Sequence, residues 1–394
     1  MKDSWKAIKN ISSNLKGLST IGLANILGNV ITGFFWLYMA RLLGTEHYGE
    51  INYIIALAGL GVMFSNVGSS NTILVYVSKG VKIQSSIYFL SLIITAISSV
   101  ILFILYHNVA ISLYVIGNVI SGLGTADMLA KKMYRTYFVY FMTNKILIVG
   151  LSLLFYYIMG YNGVVFGISL SFFPFVIIIY KGFKESKIDL LLLRDRFGFI
   201  INSYVLEITR YFSVIADKLI VAPLLGYALL GNYSLGLQFL SILGIIPGIV
   251  YQYILPHDSS GTPNRKLKQA TILFSIIIAV LSILLSPIIL PILFPKFTAA
   301  IGLIPIISVG VIPLSISNIY ISQFLAREKS RIILIGSGIF LGVQIPTIFL
   351  LGKMFGINGV AASYVLSQAS ETAYLFLVYR HLYGIKPKNE DIEP

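Results

Sequence analysis

The residues most able to do chemistry in this sequence are charged side chains that stand inside long apolar stretches. The clearest set is Glu207, Arg210, Asp217 and Lys218 in the stretch 198–222. Positions 207, 210, 214 and 217 are three or four residues apart, so they share one face of a helix. That face carries Glu207, Arg210 and Asp217, with Val214 between them. A charge in an apolar environment is costly, so each of these residues is a functional candidate. Guanidinium and ammonium groups can bind anions such as phosphate, and carboxylates can bind cations or protons.

Each candidate also has a structural interpretation. Glu207 and Arg210 could neutralise each other across one helical turn, and Lys145 and Lys218 could extend to a membrane interface. Asn25 and Asn29 share a helical face, which is typical either of hydrogen bonds between helices or of a polar cavity wall that binds sugars.

Motifs of enzymes and cofactor sites are absent. The sequence has no phosphate-binding Gly-x4-Gly-Lys-Ser/Thr loop, its four histidines are scattered, and it has no cysteine. We therefore expect no catalytic residues, no metal site and no cofactor, apart from a coupling Na⁺ or H⁺ whose identity the sequence leaves open. The net charge of +14 could suggest nucleic acid, but the basic residues cluster in short links, so no nucleic-acid partner is expected.

The composition indicates that lipid surrounds much of the chain that carries these residues. The 394 residues are 57% hydrophobic and 11% charged, whereas soluble domains are about 25% charged. Apolar runs long enough to cross a bilayer predict an all-α, polytopic membrane protein with about twelve transmembrane helices. The predicted spans are 17–40, 50–68, 86–106, 109–127, 137–158, 162–181, 198–222, 228–254, 269–290, 298–324, 331–352 and 357–379.

The distribution of basic residues predicts the orientation. With the N-terminus inside, 23 of the 29 Lys and Arg residues fall on inside segments, and three (Arg41, Lys296 and Lys353) fall on outside links. Because cytoplasmic loops are enriched in Lys and Arg, both termini are predicted to be cytoplasmic in a multi-pass protein of the cell membrane.

Two short motifs recur in the two halves. Residues 40–49 (ARLLGTEHYG) and 222–231 (APLLGYALLG) share five identities in ten. Residues 160–164 (GYNGV) and 356–360 (GINGV) both open the sixth span of a half. Six plus six helices in the same orientation predict a parallel repeat, with one lobe at 1–185 and a second at 186–394.

These motifs also carry a family resemblance. The chain resembles the polysaccharide-biosynthesis and O-antigen flippases of the multidrug/oligosaccharidyl-lipid/polysaccharide exporter superfamily. The resemblance lies in the segment 40–49, in Asp217-Lys218 followed by Leu225-Gly226 and Gly231-Asn-Tyr-Ser234, and in Gly356-Ile-Asn-Gly359-Val-Ala-Ala362.

The resemblance implies two six-helix lobes around a central cavity that opens alternately to each side. It implies a substrate that is a polyprenyl-(pyro)phosphate-linked oligosaccharide, moved to the outer leaflet for cell-surface polysaccharide or glycoprotein synthesis. Membrane lipid and the glycosyltransferases or polymerase of the same pathway are the expected partners, and a monomer suffices because two lobes enclose one path. The first candidate phosphate contacts are Arg210 and Lys218, and the second are Lys145 and Arg41. The candidate coupling or gating acids are Glu207 and Asp217. The candidate polar residues of the cavity are Asn25 and Asn29.

Two other functions stay open at this point. A cation-coupled drug or metabolite antiporter of the same superfamily would use the carboxylates instead of the basic residues. A membrane glycan polymerase or ligase is disfavoured because the outside links are short.

Overall fold

The computed structural model describes residues 2–262 and 264–383, and these residues form helices and no strand. The predicted all-α fold is therefore confirmed over the described residues. The basic residues Lys386 and Lys388 of the predicted inside tail lie outside them.

The chain divides into two compact units between Ser234 and Leu235. The predicted lobes of 1–185 and 186–394 divide at another position and remain a prediction. In the first unit, the helix Phe197–Leu225 packs against the helices Lys2–Ser65 and Ser69–Ser78, so the predicted seventh span shares a core with the first two. The helices that begin in this unit are α1 (Lys2–Ser65), α2 (Ser69–Ser78), α3 (Gln84–Tyr106), α4 (Val109–Ala130), α5 (Tyr134–Met159), α6 (Asn162–Leu170), α7 (Val176–Glu185), α8 (Leu191–Arg194), α9 (Phe197–Leu225) and α10 (Tyr227–Leu243).

The second unit has the distribution of side chains expected of helices surrounded by lipid. In α12, small or polar residues such as Ser275 and Ala279 are buried, whereas Leu284 and Ile292 are more than 60% exposed. Ser275 and Ser282 hydrogen-bond to Ser315 and Ser308 on neighbouring helices. Small and hydroxyl-bearing residues face helix neighbours when lipid covers the apolar side. The helices of this unit are α11 (Ile245–Ser259), α12 (Arg265–Leu293), α13 (Ala300–Val309), α14 (Val311–Ala326) and α15 (Ser330–Tyr383).

Eight helices of the described residues are long and apolar enough to cross a membrane, or nine if the bent pair α10 and α11 forms one span. The protein is therefore a multi-pass membrane protein, and the count of twelve remains a prediction. The predicted seventh span, α9, is not among these eight; it carries four charged residues.

Two of the eight helices are interrupted by a glycine. The helix Thr20–Ser65 is broken at Gly44 (φ 75°), and α15 is broken at Gly356 (φ 58°). An unbroken helix of 54 residues would be about 80 Å long, against about 30 Å for the hydrocarbon layer. Each break falls where the sequence predicts a link between two spans.

The recurring motifs adopt matching backbone geometries. Gly44 and Gly226 both have positive φ, and the glycines that end the two motifs, Gly49 and Gly231, contact each other's helix. A Cβ on Gly49 would lie 1.9 Å from the carbonyl oxygen of Tyr227, and a Cβ on Gly231 would lie 1.9 Å from that of Thr45. Because Thr45 and Tyr227 are equivalent positions of the two motifs, the contact is reciprocal, as a structural repeat predicts.

Candidate functional site

The second predicted span is interrupted by a polar break. This span is predicted at 50–68, with its bounds open by a few residues; the helix stops at Ser65 and resumes as α2 at Ser69. Val67 and Gly68 have φ values of 44° and 65°, and a Cβ on Gly68 would lie 2.5 Å from the carbonyl oxygen of Ile200 in α9. A residue with a side chain would meet both an unfavourable φ and the backbone of α9, so glycine is required here.

Side chains of α9 satisfy both sides of this break. The Tyr204 hydroxyl donates a hydrogen bond to the carbonyl oxygen of Phe64 at 3.2 Å. On the other side, the backbone N–H of Asn71 donates to Glu207 Oε1 at 3.4 Å. Glu207 therefore lies at the N-terminus of α2, where unpaired N–H groups and the helix dipole favour a negative charge.

A cavity of about 360 Å³ lies beside the break. Its lining residues come from the break, the start of α2 and α9: Asn66, Ser70, Asn71, Glu207, Arg210, Tyr211 and Val214. We call it the charged cavity. It brings together Glu207, Arg210 and Val214 of the predicted face, whereas Asp217 is not among its lining residues.

Arg210 is exposed and forms no ion pair or hydrogen bond among the described residues, Glu207 included. The close ion pair between Glu207 and Arg210 that their spacing allows is thus not formed in the structure. The guanidinium group keeps its five N–H donors available to a ligand.

Two buried polar atoms in the same cavity as Arg210 have no hydrogen-bond partner. Glu207 is 7% exposed and its Oε2 atom has no hydrogen-bond partner, and the same holds for Oδ1 of Asn66, which is 3% exposed. Both residues line the charged cavity. Unsatisfied buried polar atoms are costly, and sites that bind a ligand are one place where they persist.

A second cavity, of about 330 Å³, is lined by polar residues without charge. Ser70, Asn71 and Tyr211 belong to both cavities, which are therefore neighbours. We call it the neutral cavity. Its other lining residues are Leu74 of α2 and, from α4, Asn118, Ser121, Gly122, Thr125, Ala126 and Leu129.

Asp217 and Lys218 form a local cluster near the end of α9. Asp217 is buried and accepts a hydrogen bond from the Tyr233 hydroxyl at 2.9 Å. The Lys218 ammonium lies 3.4 Å from Asp217 Oδ1 and donates to the carbonyl oxygen of Val214 at 2.9 Å. These contacts occupy both side chains in this conformation.

The other predicted site residues lie on different helices. The Lys145 ammonium lies 5.0 Å from the centre of the Phe141 ring, and Asn25 accepts a hydrogen bond from Tyr137 at 3.1 Å. Asn29 and Arg41 are exposed on α1, and none of these four residues lines either cavity.

Sequence reasoning missed most of the lining residues. Asn66, Ser70 and Asn71 belong to the polar run Ser-Asn-Val-Gly-Ser-Ser-Asn-Thr at 65–72, which the span prediction treated as the end of a helix and a link. That run was a readable signal of an interrupted helix. Asn118, Ser121 and Thr125 of α4 gave no comparable signal, because isolated polar residues are common in membrane helices.

No group of three or more His, Asp or Glu side chains that could hold a metal ion occurs in the described part of the chain.

Comparisons with known proteins were made at the levels of sequence and of structure. No protein-family profile and no curated protein matches the sequence. Solved structures do match the fold. The lipid II flippase MurJ in an inward closed conformation aligns with a TM-score of 0.76 at 13% identity, covering 91% of this chain and 87% of that one.

Two MATE transporters align over similar lengths. An inward-facing MATE-family transporter of the MOP superfamily gives a TM-score of 0.62 at 15% identity, covering 91% of this chain and 94% of that one. The Vibrio cholerae MATE transporter VcmN in its bent form gives 0.56 at 16%, covering 94% and 97%. The resemblance to the multidrug/oligosaccharidyl-lipid/polysaccharide exporter superfamily is thus confirmed as a likeness of fold.

Proposed function

We propose that this transporter-fold protein is a flippase, not an enzyme, that moves a polyprenyl-(pyro)phosphate-linked oligosaccharide from the cytoplasmic to the outer leaflet of the cell membrane by alternating access. The phosphate and sugars of such a lipid cannot cross about 30 Å of hydrocarbon unaided. A protein that carries them needs a polar cavity at membrane depth with at least one available cation.

The observation that carries this proposal is the position of Arg210. It lines the charged cavity between α2 and α9, has no ion pair among the described residues, and lies near the N-terminus of α2. A guanidinium group that has no ion pair favours a phosphate, because it offers several N–H donors and a positive charge. The likeness to MurJ, whose name describes a lipid II flippase, supports the same substrate class.

The remaining predicted contacts take secondary roles in the proposal. Lys145 and Arg41 lie outside both cavities and would contact the phosphate in other conformations, and Lys218 would first have to leave Asp217. Glu207 and Asp217 are proposed as coupling or gating acids, with Na⁺ or H⁺ as the coupling ion. Asn25 and Asn29 are proposed to line the path.

A cation-coupled drug or metabolite antiporter is the second candidate. The observation in its favour is Glu207, a buried carboxylate with one unpartnered oxygen in the same cavity as Arg210. The likeness to MATE transporters is compatible with it. The two functions differ in which residue is essential: Arg210 for an anionic lipid, Glu207 for an organic cation.

The test is the sidedness of the lipid-linked oligosaccharide in the protein's own host. Deletion of the gene should leave this lipid accessible to an impermeant lectin or glycosidase only after the cells are permeabilised, and the wild-type gene should restore its exposure on intact cells. We expect Arg210→Gln to reduce that restoration at least tenfold, since one charge-assisted contact contributes about 1.5–3 kcal/mol.

The matched control is Arg135→Gln, which removes one exposed arginine of α5 that lines neither cavity. It should restore exposure fully. If Arg210→Gln reaches the membrane and also restores exposure fully, Arg210 is not a substrate contact. If deletion leaves exposure unchanged and the cells lose tolerance to cationic compounds, the antiporter function replaces the flippase.

A further inference from the structure

We infer that the neutral cavity is a subsite for the first sugar of the transported lipid, and that this sugar is uncharged. The inference rests on the proposed function, because it places the phosphate at Arg210 in the neighbouring charged cavity. The head-group site would then have two parts, one for the phosphate and one for an uncharged sugar.

The polar groups of the neutral cavity form a stripe along α4. Asn118, Ser121 and Thr125 follow each other at intervals of three and four residues, so their side chains lie on one face of the helix. Ser70 and Asn71 face them from α2, and the apolar residues Leu74 and Leu129 complete the wall. Hydroxyl and amide groups both donate and accept hydrogen bonds, which matches the hydroxyl groups of a sugar.

The neutral cavity has no charged lining residue, and this favours an uncharged sugar. None of the ten lining residues of the neutral cavity carries a charge at neutral pH, since the phenol of Tyr211 stays protonated there. A carboxylate on the sugar would lose its hydration without gaining a cation, which is costly. A neutral hexose loses only hydrogen bonds that the amides and hydroxyls replace.

The size and position of the cavity agree with this assignment. Its volume of about 330 Å³ lies in the range of ligand sites, about 300–1,000 Å³. Because it shares Ser70, Asn71 and Tyr211 with the charged cavity, a phosphate near Arg210 and the sugar attached to it would occupy adjacent spaces. In the predicted topology, Thr125 lies closer than Asn118 to the cytoplasmic end of α4, so the stripe leads inward from the side where the lipid is made.

Gly122 provides a test that does not disturb the fold. It lines the neutral cavity, it lies inside α4, and a Cβ on it would meet nothing within 4 Å. The Cβ of a larger side chain would therefore meet no atom, the rest of the side chain would take up space at the wall of the neutral cavity, and the helix would gain intrinsic stability from the loss of glycine. Gly150, inside α5, also has nothing within 4 Å of its Cβ and lines neither cavity, so Gly150→Leu is the matched control.

The experiment measures equilibrium binding to the full-length protein in lipid nanodiscs. The ligands are a polyprenyl diphosphate alone, the same lipid with one uncharged hexose, and the same lipid with one uronic acid. Wild-type protein should bind the hexose-bearing lipid about tenfold more tightly than the other two. Gly122→Leu should remove this preference and leave binding of the sugar-free lipid unchanged, and Thr125→Val should weaken only the hexose-bearing lipid, about three- to tenfold. Gly150→Leu should match wild type with all three ligands.

The outcomes separate the subsite from the proposed function. If Gly122→Leu keeps the preference for the hexose-bearing lipid, or weakens all three ligands equally, the sugar subsite is wrong. If wild type binds the three lipids equally but Arg210→Gln weakens all of them, the subsite is also wrong and the flippase function stands. If wild type binds none of them more tightly than a neutral phospholipid, both fail.

Discussion

Glu207 and Arg210 carry opposite charges and line the same cavity, but they form no ion pair. Glu207 is buried at the N-terminus of α2, while Arg210, one helical turn further, is exposed. A carboxylate at that position occupies the place that an anionic ligand would favour, since the helix N–H groups attract either one. A phosphate bound at Arg210, as proposed, would therefore compete with Glu207 for the same N–H groups, and the carboxylate lowers the positive potential around Arg210.

Neutralising this carboxylate should strengthen the binding of an anionic lipid. Glu207→Gln keeps the size of the side chain and removes its charge, so we expect the dissociation constant of a polyprenyl diphosphate to fall about three- to tenfold. The measurement is equilibrium binding in nanodiscs. Glu371→Gln is the control, because Glu371 is an equally buried carboxylate that lines neither cavity.

The same variant separates the two candidate functions. An antiporter that binds an organic cation at Glu207 would lose cation binding in Glu207→Gln and would gain nothing for the anionic lipid. A weaker affinity for the diphosphate in this variant would contradict the competition between Glu207 and phosphate.

At the scale of the element, glycines determine where helices break and how closely they approach. The break at residues 66–68 creates the N-terminus of α2, and Gly68 allows both its backbone conformation and the close approach of α9. Without the break, Glu207 would face an unbroken helix with no unpaired N–H groups. The charged cavity therefore depends on a helix interruption as much as on the charged residues.

The reciprocal contact of Gly49 and Gly231 should tolerate no side chain. Gly49→Ala places a methyl group 1.9 Å from the carbonyl oxygen of Tyr227, so the two helices would have to separate. We expect a loss of about 1–3 kcal/mol, seen as a lower midpoint of thermal unfolding in detergent by size-exclusion chromatography. Gly231→Ala, the equivalent position, should behave alike.

Gly150→Ala is the control for this contact. It lies in a helix with no atom near its Cβ, and alanine is the better helix former, so the midpoint should stay or rise. An unfolding midpoint of Gly49→Ala equal to that of wild type would mean that these helices do not approach as closely in the membrane.

At the scale of the whole molecule, the arrangement of apolar residues requires lipid as the solvent. Large side chains such as Phe34 and Ile292 are at least 70% exposed, and many serines and threonines are buried beside the apolar core. Soluble proteins rarely expose so many large apolar residues. The protein thus combines the fold of known transporters with an apolar exterior, and the prediction of twelve spans can be tested by measuring which side of the membrane each link faces.

The absence of cysteine makes that measurement simple. Single cysteines introduced at Lys82 and Lys266, on predicted inside segments, should react with an impermeant maleimide only after the membrane is permeabilised. Cysteines introduced at Lys296 and Lys353, on predicted outside links, should react on intact cells. All four lysines are exposed in the structure, so protection reports the membrane side. Labelling of Lys82→Cys on intact cells would overturn the twelve-span topology.

The sequence alone determined the features that depend on composition and on local spacing. An apolar fraction of 57% predicts membrane helices, because no soluble core could bury so much apolar surface, and charges within a span indicate a functional cavity because they are costly in lipid. The recurring motifs place glycines at 44, 226 and 356 in links between spans, and all three have positive φ in the structure.

Only the tertiary structure decided which polar residues meet. Asn71 and Glu207 are 136 positions apart, and nothing in their spacing predicts that a backbone N–H of one faces the carboxylate of the other. The structure also separated Asp217 from the charged cavity although it shares the helical face of Glu207 and Arg210, because Tyr233 and Lys218 hold it elsewhere. Helical periodicity assigns a residue to a face, but the packing of neighbouring helices decides whether that part of the face meets a cavity, a partner or lipid.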